Sequence, residues 1–116
     1  MLNVKAIVAA AALIVPLGAA YANTRAYNID ANTRESFNLR LCGPAVTVTA
    51  DGDDDTDLDY WLYNSAGQLV HRDLDRTDMM IRTIYRRDGS CGNYRLVVRN
   101  LGDIYNRMQL SLDDLA

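Results

Sequence analysis

Residues that commonly carry catalysis or bind metals are scarce in this sequence. Of its 116 residues, one is histidine, one is lysine and two are cysteine. A lone histidine is a poor basis for a zinc site. It also restricts a Ser-His-Asp or Cys-His arrangement to His71, and no Gly-x-Ser-x-Gly turn presents a serine as nucleophile. We therefore expect no enzyme. A hydrolase would need a nucleophile beside His71, which otherwise is a surface residue on an edge strand.

The N-terminal segment has the three parts of an export signal. Residues 1–5 carry a positive charge, residues 6–15 are apolar, and Ala20-Tyr21-Ala22 is a small-x-small cleavage site. We predict cleavage after Ala22, with Ala20 as the alternative. The apolar run is shorter than the roughly 20 residues that span a bilayer. No cysteine follows the site for lipidation, so we expect a domain at residues 23–116, periplasmic or secreted, with no membrane anchor.

Removing residues 1–22 leaves 94 residues (116 minus 22) and takes away Lys5, the one lysine. The remaining charge is 11 arginines against 15 acids, or −4. A net negative chain with acids interleaved among its arginines offers no basic stripe for nucleic acid. Arg82, Arg86 and Arg87 form a local basic patch. We expect them to pair with aspartates across strands, and the alternative is that they meet an anionic partner.

The two cysteines are predicted to form one disulfide. Cys42 and Cys91 are 49 positions apart, without Cys-x-x-Cys spacing, in a chain that its signal directs to an oxidising compartment. The alternative is two free thiols. In the chain-entropy model, closing a loop of this size stabilises the domain by roughly 4 kcal/mol.

Beyond the signal, apolar residues recur at every second position, which is the period of half-buried strands. The alternating segments are residues 37–41, 46–49, 58–62, 68–72, 79–85, 94–99 and 107–112. Turn residues separate them, as in Asp51-Gly52-Asp53 and Asp88-Gly89-Ser90. The pattern predicts an all-β domain of seven or eight short antiparallel strands, arranged as a β-sandwich or a small barrel.

Two segments resemble the bacterial pre-peptidase C-terminal family. GDDDTDLDYWLYNSAGQLV at residues 52–70 is similar to its acidic turn, Asp-Leu-Asp strand and Asn-x-x-Gly turn, and GNYRLVVRNLG at residues 92–102 to its Gly-x-Tyr strand. The resemblance implies a jelly-roll-like β-sandwich, related in architecture to calcium-dependent collagen-binding modules. Such domains are usually non-catalytic additions to exported enzymes. No enzyme precedes this one, so we expect a stand-alone copy.

The acidic turn is the first candidate site. Six aspartates fall within nine residues: Asp51, Asp53, Asp54, Asp55, Asp57 and Asp59. A calcium ion would relieve their repulsion, although the spacing is not that of an EF-hand. The expected ligands are Asp53, Asp55, Asp57 and Asp59. The alternative interpretation is a solvated hairpin loop whose charges guard a strand edge.

The second candidate is aromatic. Alternation along residues 58–63 directs Trp61 and Tyr63 away from the core, on the same side as Asp57 and Asp59. Exposed rings next to hydrogen-bonding groups are typical of glycan- or peptide-binding surfaces. The alternative is that the stems of Arg82, Arg95 or Arg99 cover the rings.

Together these features predict a non-catalytic exported module that binds an extracellular or periplasmic protein or glycan. The alternative is an inhibitor or structural partner of a secreted peptidase or other exported enzyme, acting through edge-strand pairing or loop insertion.

Overall fold

The computed structural model describes residues 21–114, which form eight β-strands. They are β1 (Tyr21–Ile29), β2 (Arg34–Cys42), β3 (Ala45–Asp51), β4 (Leu58–Tyr63), β5 (Leu69–Asp73), β6 (Met79–Tyr85), β7 (Cys91–Asn100) and β8 (Asn106–Asp114). Seven of them cover the seven alternating segments predicted from the sequence. The eighth, β1, was not among them.

The strands make two antiparallel four-stranded sheets. One sheet has the order β1-β8-β3-β6 and the other the order β2-β7-β4-β5. Consecutive strands therefore mostly alternate between the sheets, as they do in a double-sheet jelly roll. The predicted all-β sandwich with jelly-roll character is confirmed.

The core lies between the sheets and is built by the period-two pattern. In β4, Leu58, Tyr60 and Leu62 are fully buried, whereas Trp61 and Tyr63 between them are only half-buried. Fully burying an apolar side chain of this size contributes about 1.5–3 kcal/mol. β2, β3, β7 and β8 each add three or more buried apolar side chains, β6 adds two and β1 adds Ile29, so the alternation builds the core that joins the two sheets.

The sequence analysis did not predict β1, because polar and apolar residues are mixed at the positions of β1 that face the other sheet. In register with β8, Asn23 pairs with Leu112, Arg25 with Leu110 and Tyr27 with Met108. The partner strand supplies apolar residues throughout, whereas β1 supplies the polar Asn23 and Arg25 before Tyr27 and Ile29 reach the core. Of the predicted signal, residues 1–20 lie outside the described residues, and Tyr21 and Ala22 begin β1.

The predicted disulfide is confirmed. Cys42 and Cys91 are register partners at the last pair of the β2–β7 ladder, and their sulfur atoms are bonded. The link therefore ties together the end of β2 and the start of β7 inside one sheet. Within residues 21–114 no helix is long and apolar enough to cross a membrane.

Four loops meet at one end of the sandwich, which we call the loop end. They are residues 30–33, 52–57, 74–78 and 101–105. Backbone hydrogen bonds join them: Asn32 N–H donates to the carbonyl of Gly102 (3.0 Å), and Leu101 N–H donates to that of Asp57 (3.0 Å). Because the acidic segment is one of these loops, its aspartates are set against three neighbouring connections.

Candidate functional site

The acidic segment crosses from one sheet to the other. It joins β3, which lies between β8 and β6, to β4, which lies between β7 and β5. Both strands are interior members of their sheets. The interpretation of this segment as a hairpin loop guarding a strand edge is therefore wrong, because neither strand is an edge and the two do not pair.

Asn106, the first residue of β8, organises the segment. Its side chain is fully buried. The Oδ1 atom accepts the N–H of Asp53 at 3.0 Å, and the Nδ2 group donates to the carbonyl and hydroxyl of Thr56, both at 3.1 Å. Nδ2 also donates to Oδ2 of Asp78 at 3.2 Å. One buried amide thus connects both ends of the acidic loop to β8.

Asp78 completes this buried network from the loop between β5 and β6. Its side chain is 4% exposed. Its Oδ2 accepts the N–H of Asp54 at 2.7 Å, and its carbonyl accepts the Tyr60 hydroxyl at 2.6 Å. Gly52 lies so close that a Cβ there would collide with the Asp78 carboxylate and the Asn106 amide. Protein hydrogen bonds therefore hold the start of the loop.

Hydrogen bonds engage both carboxylate oxygens of Asp53, one of the predicted calcium ligands. Asp53 Oδ1 accepts the N–H of Asp55 at 3.1 Å and Oδ2 accepts the N–H of Arg107 at 2.8 Å. Asp55 is exposed. Asp57 and Asp59 are half-buried, and each has an Oδ1 atom that is buried without a hydrogen-bond partner.

The four predicted ligands do not come together as one set. In the described part of the chain, no group of three or more His, Cys, Asp or Glu side chains is arranged to hold a metal ion. Asp57 and Asp59 are the members that share a surface, since they lie two positions apart, one just before β4 and the other within it. A calcium ion bound there would need backbone carbonyls or water for most of its coordination sphere.

Burial and like charge raise the pKa values of both carboxyl groups. For Asp57 the largest cause is desolvation, followed by the charges of Asp75 and Asp78. For Asp59 it is again desolvation, followed by the charge of Asp57, while Arg99 opposes the rise in pKa. The loop end thus contains a carboxylate pair that lacks enough positive charge and hydrogen-bond donors.

The outward face of sheet β2-β7-β4-β5 carries a different chemistry. Five exposed arginines project from it, and we call this surface the arginine face: Arg34 and Arg40 of β2, Arg95 and Arg99 of β7, and Arg72 of β5. One acidic residue, Asp59, lies among the described strand positions of this face, in register with Arg99. Five of the chain's 11 arginines therefore share one sheet surface.

Trp61 and Tyr63 lie in the arginine face. The guanidinium carbon of Arg34 is 5.4 Å from the Trp61 ring centroid, and that of Arg95 is 4.7 Å from the Tyr63 centroid. Trp61 is in register with Val97, which is buried although it points outward. The rings are half-covered by arginines, as one interpretation of the sequence expected. Arg95 is one of the residues named for that role, but Arg34 takes the place of Arg82 or Arg99.

The structure places His71 half-buried on a strand at a sheet edge. It lies on edge strand β5, in register with Leu62, and makes no hydrogen bond to a serine or a carboxylate in the part of the chain that the structure describes. This matches the interpretation of His71 as an edge-strand residue.

Arg86 does not pair with an aspartate across strands. Its guanidinium donates to the Ser90 carbonyl (3.0 Å), the Ser90 hydroxyl (2.9 Å), the Cys91 carbonyl (3.1 Å) and the Tyr94 hydroxyl (3.2 Å). The arginine closes the turn between β6 and β7. The prediction of an Arg–Asp pair is wrong here because the tight turn offers nearer oxygen acceptors.

The sequence analysis missed the buried polar residues of the loop end. Asn100 is fully buried and donates to the carbonyls of Ile29 (3.0 Å) and Ile104 (2.9 Å). Together with Asn106 it flanks the loop at residues 101–105. An asparagine on each side of a five-residue connection is the signal in the sequence that side-chain amides bond the loop backbone. The sequence analysis interpreted Asn100 only as part of a turn.

Comparison with known proteins shows the fold. No protein-family model matches the sequence, and no curated protein is similar to it. The structure is similar to the pre-peptidase C-terminal domain of collagenase from Bacillus anthracis, with a TM-score of 0.60 and 8% sequence identity over 78% of this chain and 87% of that one. It is also similar to the Yersinia pseudotuberculosis-derived mitogen, with a TM-score of 0.59 and 11% identity over 83% of this chain and 87% of that one.

Proposed function

From a jelly-roll sandwich like that of a pre-peptidase C-terminal domain, we propose that this chain is an exported, non-catalytic binding module. It engages an extracellular or periplasmic protein or glycan through the arginine face. One observation carries the proposal: Trp61 and Tyr63 are half-buried on an open sheet surface, and each has a guanidinium over its ring. Aromatic and arginine side chains are the residues most enriched at binding hot spots.

The absence of a catalytic role in this proposal rests on His71 and the serines. A general base must lie within hydrogen-bond reach of its nucleophile, or one water away from it. His71 is held on edge strand β5 by its register with Leu62, and no hydrogen bond links it to Ser36, Ser65 or Ser90 in the residues described. Binding without turnover is the function that this arrangement supports best.

Calcium enters the proposal only at Asp57 and Asp59. Their unpartnered oxygens and raised pKa values are what a nearby cation would relieve. Because Asp53 is engaged by two backbone N–H groups, we assign it a structural role in the loop. A cation held by two carboxylates would bind in the range of about 10⁻⁴–10⁻³ M that is typical of extracellular modules.

A panel of immobilised glycans and extracellular proteins tests the proposal. The purified domain is compared with the double variant Tyr63→Ser/Arg95→Ser, which removes one ring and the arginine over it. The matched control is Tyr105→Ser/Arg107→Ser, which removes an exposed tyrosine and an exposed arginine elsewhere. We expect at least one ligand whose binding the first variant loses and the control keeps. If no ligand depends on Tyr63 and Arg95, the proposed binding function is wrong.

A second candidate function rests on strand β6. This strand is a sheet edge, and Met79, Ile81 and Tyr85 project from it with 38%, 54% and 78% of their surfaces exposed. An exposed apolar edge suits pairing with a strand of an exported enzyme. In that case Ile81→Lys would abolish capture and inhibition of the enzyme, and Tyr63→Ser/Arg95→Ser would change neither.

A further inference from the structure

Positive and negative charge are separated within the described domain. Eleven of the chain's 15 acids lie in or beside the four connections of the loop end: Asp30, Asp51, Asp53, Asp54, Asp55, Asp57, Asp59, Asp73, Asp75, Asp78 and Asp103. The arginine face carries five guanidinium groups against Asp59, with Asp57 just before β4. A chain whose formal charge is −3 thus presents one strongly positive sheet surface.

The opposite sheet lacks such a surface. In the described strands, the outward side of β3 and β8 carries one arginine, Arg107, which is in register with Asn28 of β1. Asp51 and Asp113 supply negative charge on the same side. The remaining outward positions there are largely threonine, serine and alanine, with Thr47 and Thr83 joined by a 2.8 Å hydrogen bond. Two sheets of the same fold therefore differ in charge, so the concentration of arginine is a property of one surface and not of the whole molecule.

The arginines over Trp61 and Tyr63 determine which kind of ligand the arginine face can bind. A neutral sugar would stack on an open ring, but Arg34 lies over Trp61 and Arg95 over Tyr63. A guanidinium stacked on a ring keeps its N–H donors at its edge and loses little rotamer entropy when it binds, because it is already oriented. Carboxylates and sulfates accept such donors in pairs. Anion binding is therefore favoured over sugar stacking.

We propose that the arginine face binds an anionic polysaccharide, whose carboxylate or sulfate groups pair with Arg34 and Arg95. This inference rests on the proposed function and specifies its ligand class. Positions two apart on a strand are separated by about 6.8 Å. Trp61 and Tyr63 thus hold their arginines close enough for neighbouring charged units of one polymer chain to reach both, while Arg72 and Arg99 extend the positive surface on either side.

Affinity electrophoresis of the domain tests the inference. Native gels contain polygalacturonate, dextran sulfate or neutral dextran, and chelator is present throughout so that calcium cannot bridge protein and polymer. We expect polygalacturonate, dextran sulfate or both to retard the domain at low ionic strength and neutral dextran not to do so. Retardation should disappear as salt rises above roughly 0.3 M, where charges are screened within about 6 Å. The two anionic polymers distinguish a preference for carboxylate from one for sulfate.

Two charge-matched variants decide which surface is responsible. Arg34→Gln/Arg95→Gln removes two charges from the arginine face, and Arg25→Gln/Arg107→Gln removes two exposed arginines from the other sheet. We expect the first to weaken binding about tenfold or more and the second to leave it within twofold. Equal weakening by both variants, or no retardation by either anionic polymer, overturns the inference. Circular dichroism melts verify that both variants fold.

The ligand panel and the affinity electrophoresis together distinguish failure of this inference from failure of the proposed function on which it rests. If the ligand panel yields a protein or a neutral glycan that needs Tyr63 and Arg95, and neither anionic polymer retards the domain, the arginine face is a binding surface with a different ligand. If no ligand of any class depends on Tyr63 and Arg95, both the binding function and its ligand class fail.

Discussion

Asn106 and Asp53, which are 53 positions apart in the sequence, are joined by a 3.0 Å hydrogen bond from the backbone N–H of Asp53 to Oδ1 of Asn106. Arg107, which follows Asn106, bonds the same aspartate: its backbone N–H donates to Oδ2 of Asp53 at 2.8 Å. This reciprocal pair fixes the start of the acidic loop against the first residues of β8. It accounts for the position of Asp53 within the acidic loop.

Replacing Asn106 should therefore destabilise the whole domain. In Asn106→Ala the N–H of Asp53 and the carboxylate of Asp78 both lose a buried partner, and an unsatisfied buried group costs about 1–3 kcal/mol. We expect the free energy of unfolding in urea to fall by roughly 2–4 kcal/mol. The control Asn93→Ala, at an exposed position of β7, should change it by less than about 0.5 kcal/mol. Equal stability of the two variants would show that the network is dispensable.

Reducing the disulfide should lower stability substantially. The bond between Cys42 and Cys91 closes a loop of 49 positions, for which the chain-entropy model gives roughly 4 kcal/mol. We expect reductant to shift the urea midpoint of the wild-type domain downward by a large fraction, since whole-domain stability is about 5–15 kcal/mol. Reductant should not affect Cys42→Ala/Cys91→Ala, which already lacks the bond. An unchanged wild-type midpoint would contradict the stabilising role.

Calcium should raise the melting temperature if it binds at Asp57 and Asp59. For a dissociation constant of about 1 mM, 10 mM calcium adds roughly 1.4 kcal/mol, or several degrees at about 4–8 °C per kcal/mol. Thermal unfolding with 10 mM calcium and with chelator measures the difference. Asp59→Asn should remove it and the exposed control Asp103→Asn should keep it. Superimposable wild-type curves would exclude calcium as a stabiliser.

The raised pKa of Asp59 predicts how stability depends on pH in the absence of calcium. An acid whose pKa is higher in the folded state destabilises the fold once it ionises, so its cost appears as pH rises above the unfolded value of about 3.8. Asp59→Asn should thus raise the free energy of unfolding at pH 7 by no more than about 1 kcal/mol, since solvent still screens the group. The gain should vanish near pH 3.

Asp88 supplies a control of opposite sign for that measurement. Its pKa is lowered because the backbone N–H and the hydroxyl of Ser90 donate to its carboxylate. Its stabilising effect is present above the unfolded pKa and is lost as pH falls through the lowered one. Asp88→Asn should therefore lower stability at pH 7. If both variants move stability in the same direction, the opposite pKa shifts of Asp59 and Asp88 do not account for the pH dependence.

Trp61 reports directly on the arginine face, because it is the one tryptophan of the chain. With Arg34 lying 5.4 Å from its ring centroid, we expect intermediate quenching of its fluorescence by acrylamide. Arg34→Ala should increase the quenching constant toward that of exposed indole. Arg40→Ala, which removes another arginine of β2 and of the same face, should leave it unchanged. Identical constants in wild type and Arg34→Ala would show that the arginine does not cover the ring in solution.

Alternation along the sequence was enough to predict an all-β domain, as a sandwich or a small barrel, and the directions in which its side chains point. Leu58, Tyr60 and Leu62 face the core because successive side chains of a strand point to opposite sides, and this rule needs no knowledge of neighbouring strands. The same rule placed Trp61 and Tyr63 on the outer surface. The pairing of Cys42 with Cys91 followed from an even cysteine count in a chain whose first residues predict export, and the structure contains that bond.

Strand order and the partners of polar groups were decided only by the tertiary structure. The alternative interpretation of the acidic segment as a hairpin loop is wrong because local sequence does not reveal that β3 and β4 belong to different sheets. Arg34 was not expected over Trp61, since 27 positions of sequence and an intervening strand of the sheet separate the two residues. Hydrogen bonds and guanidinium stacking act over a few ångströms in space, whatever the distance along the chain. The sequence alone therefore predicted which residues point outward, and the packing of two sheets determined what they meet there.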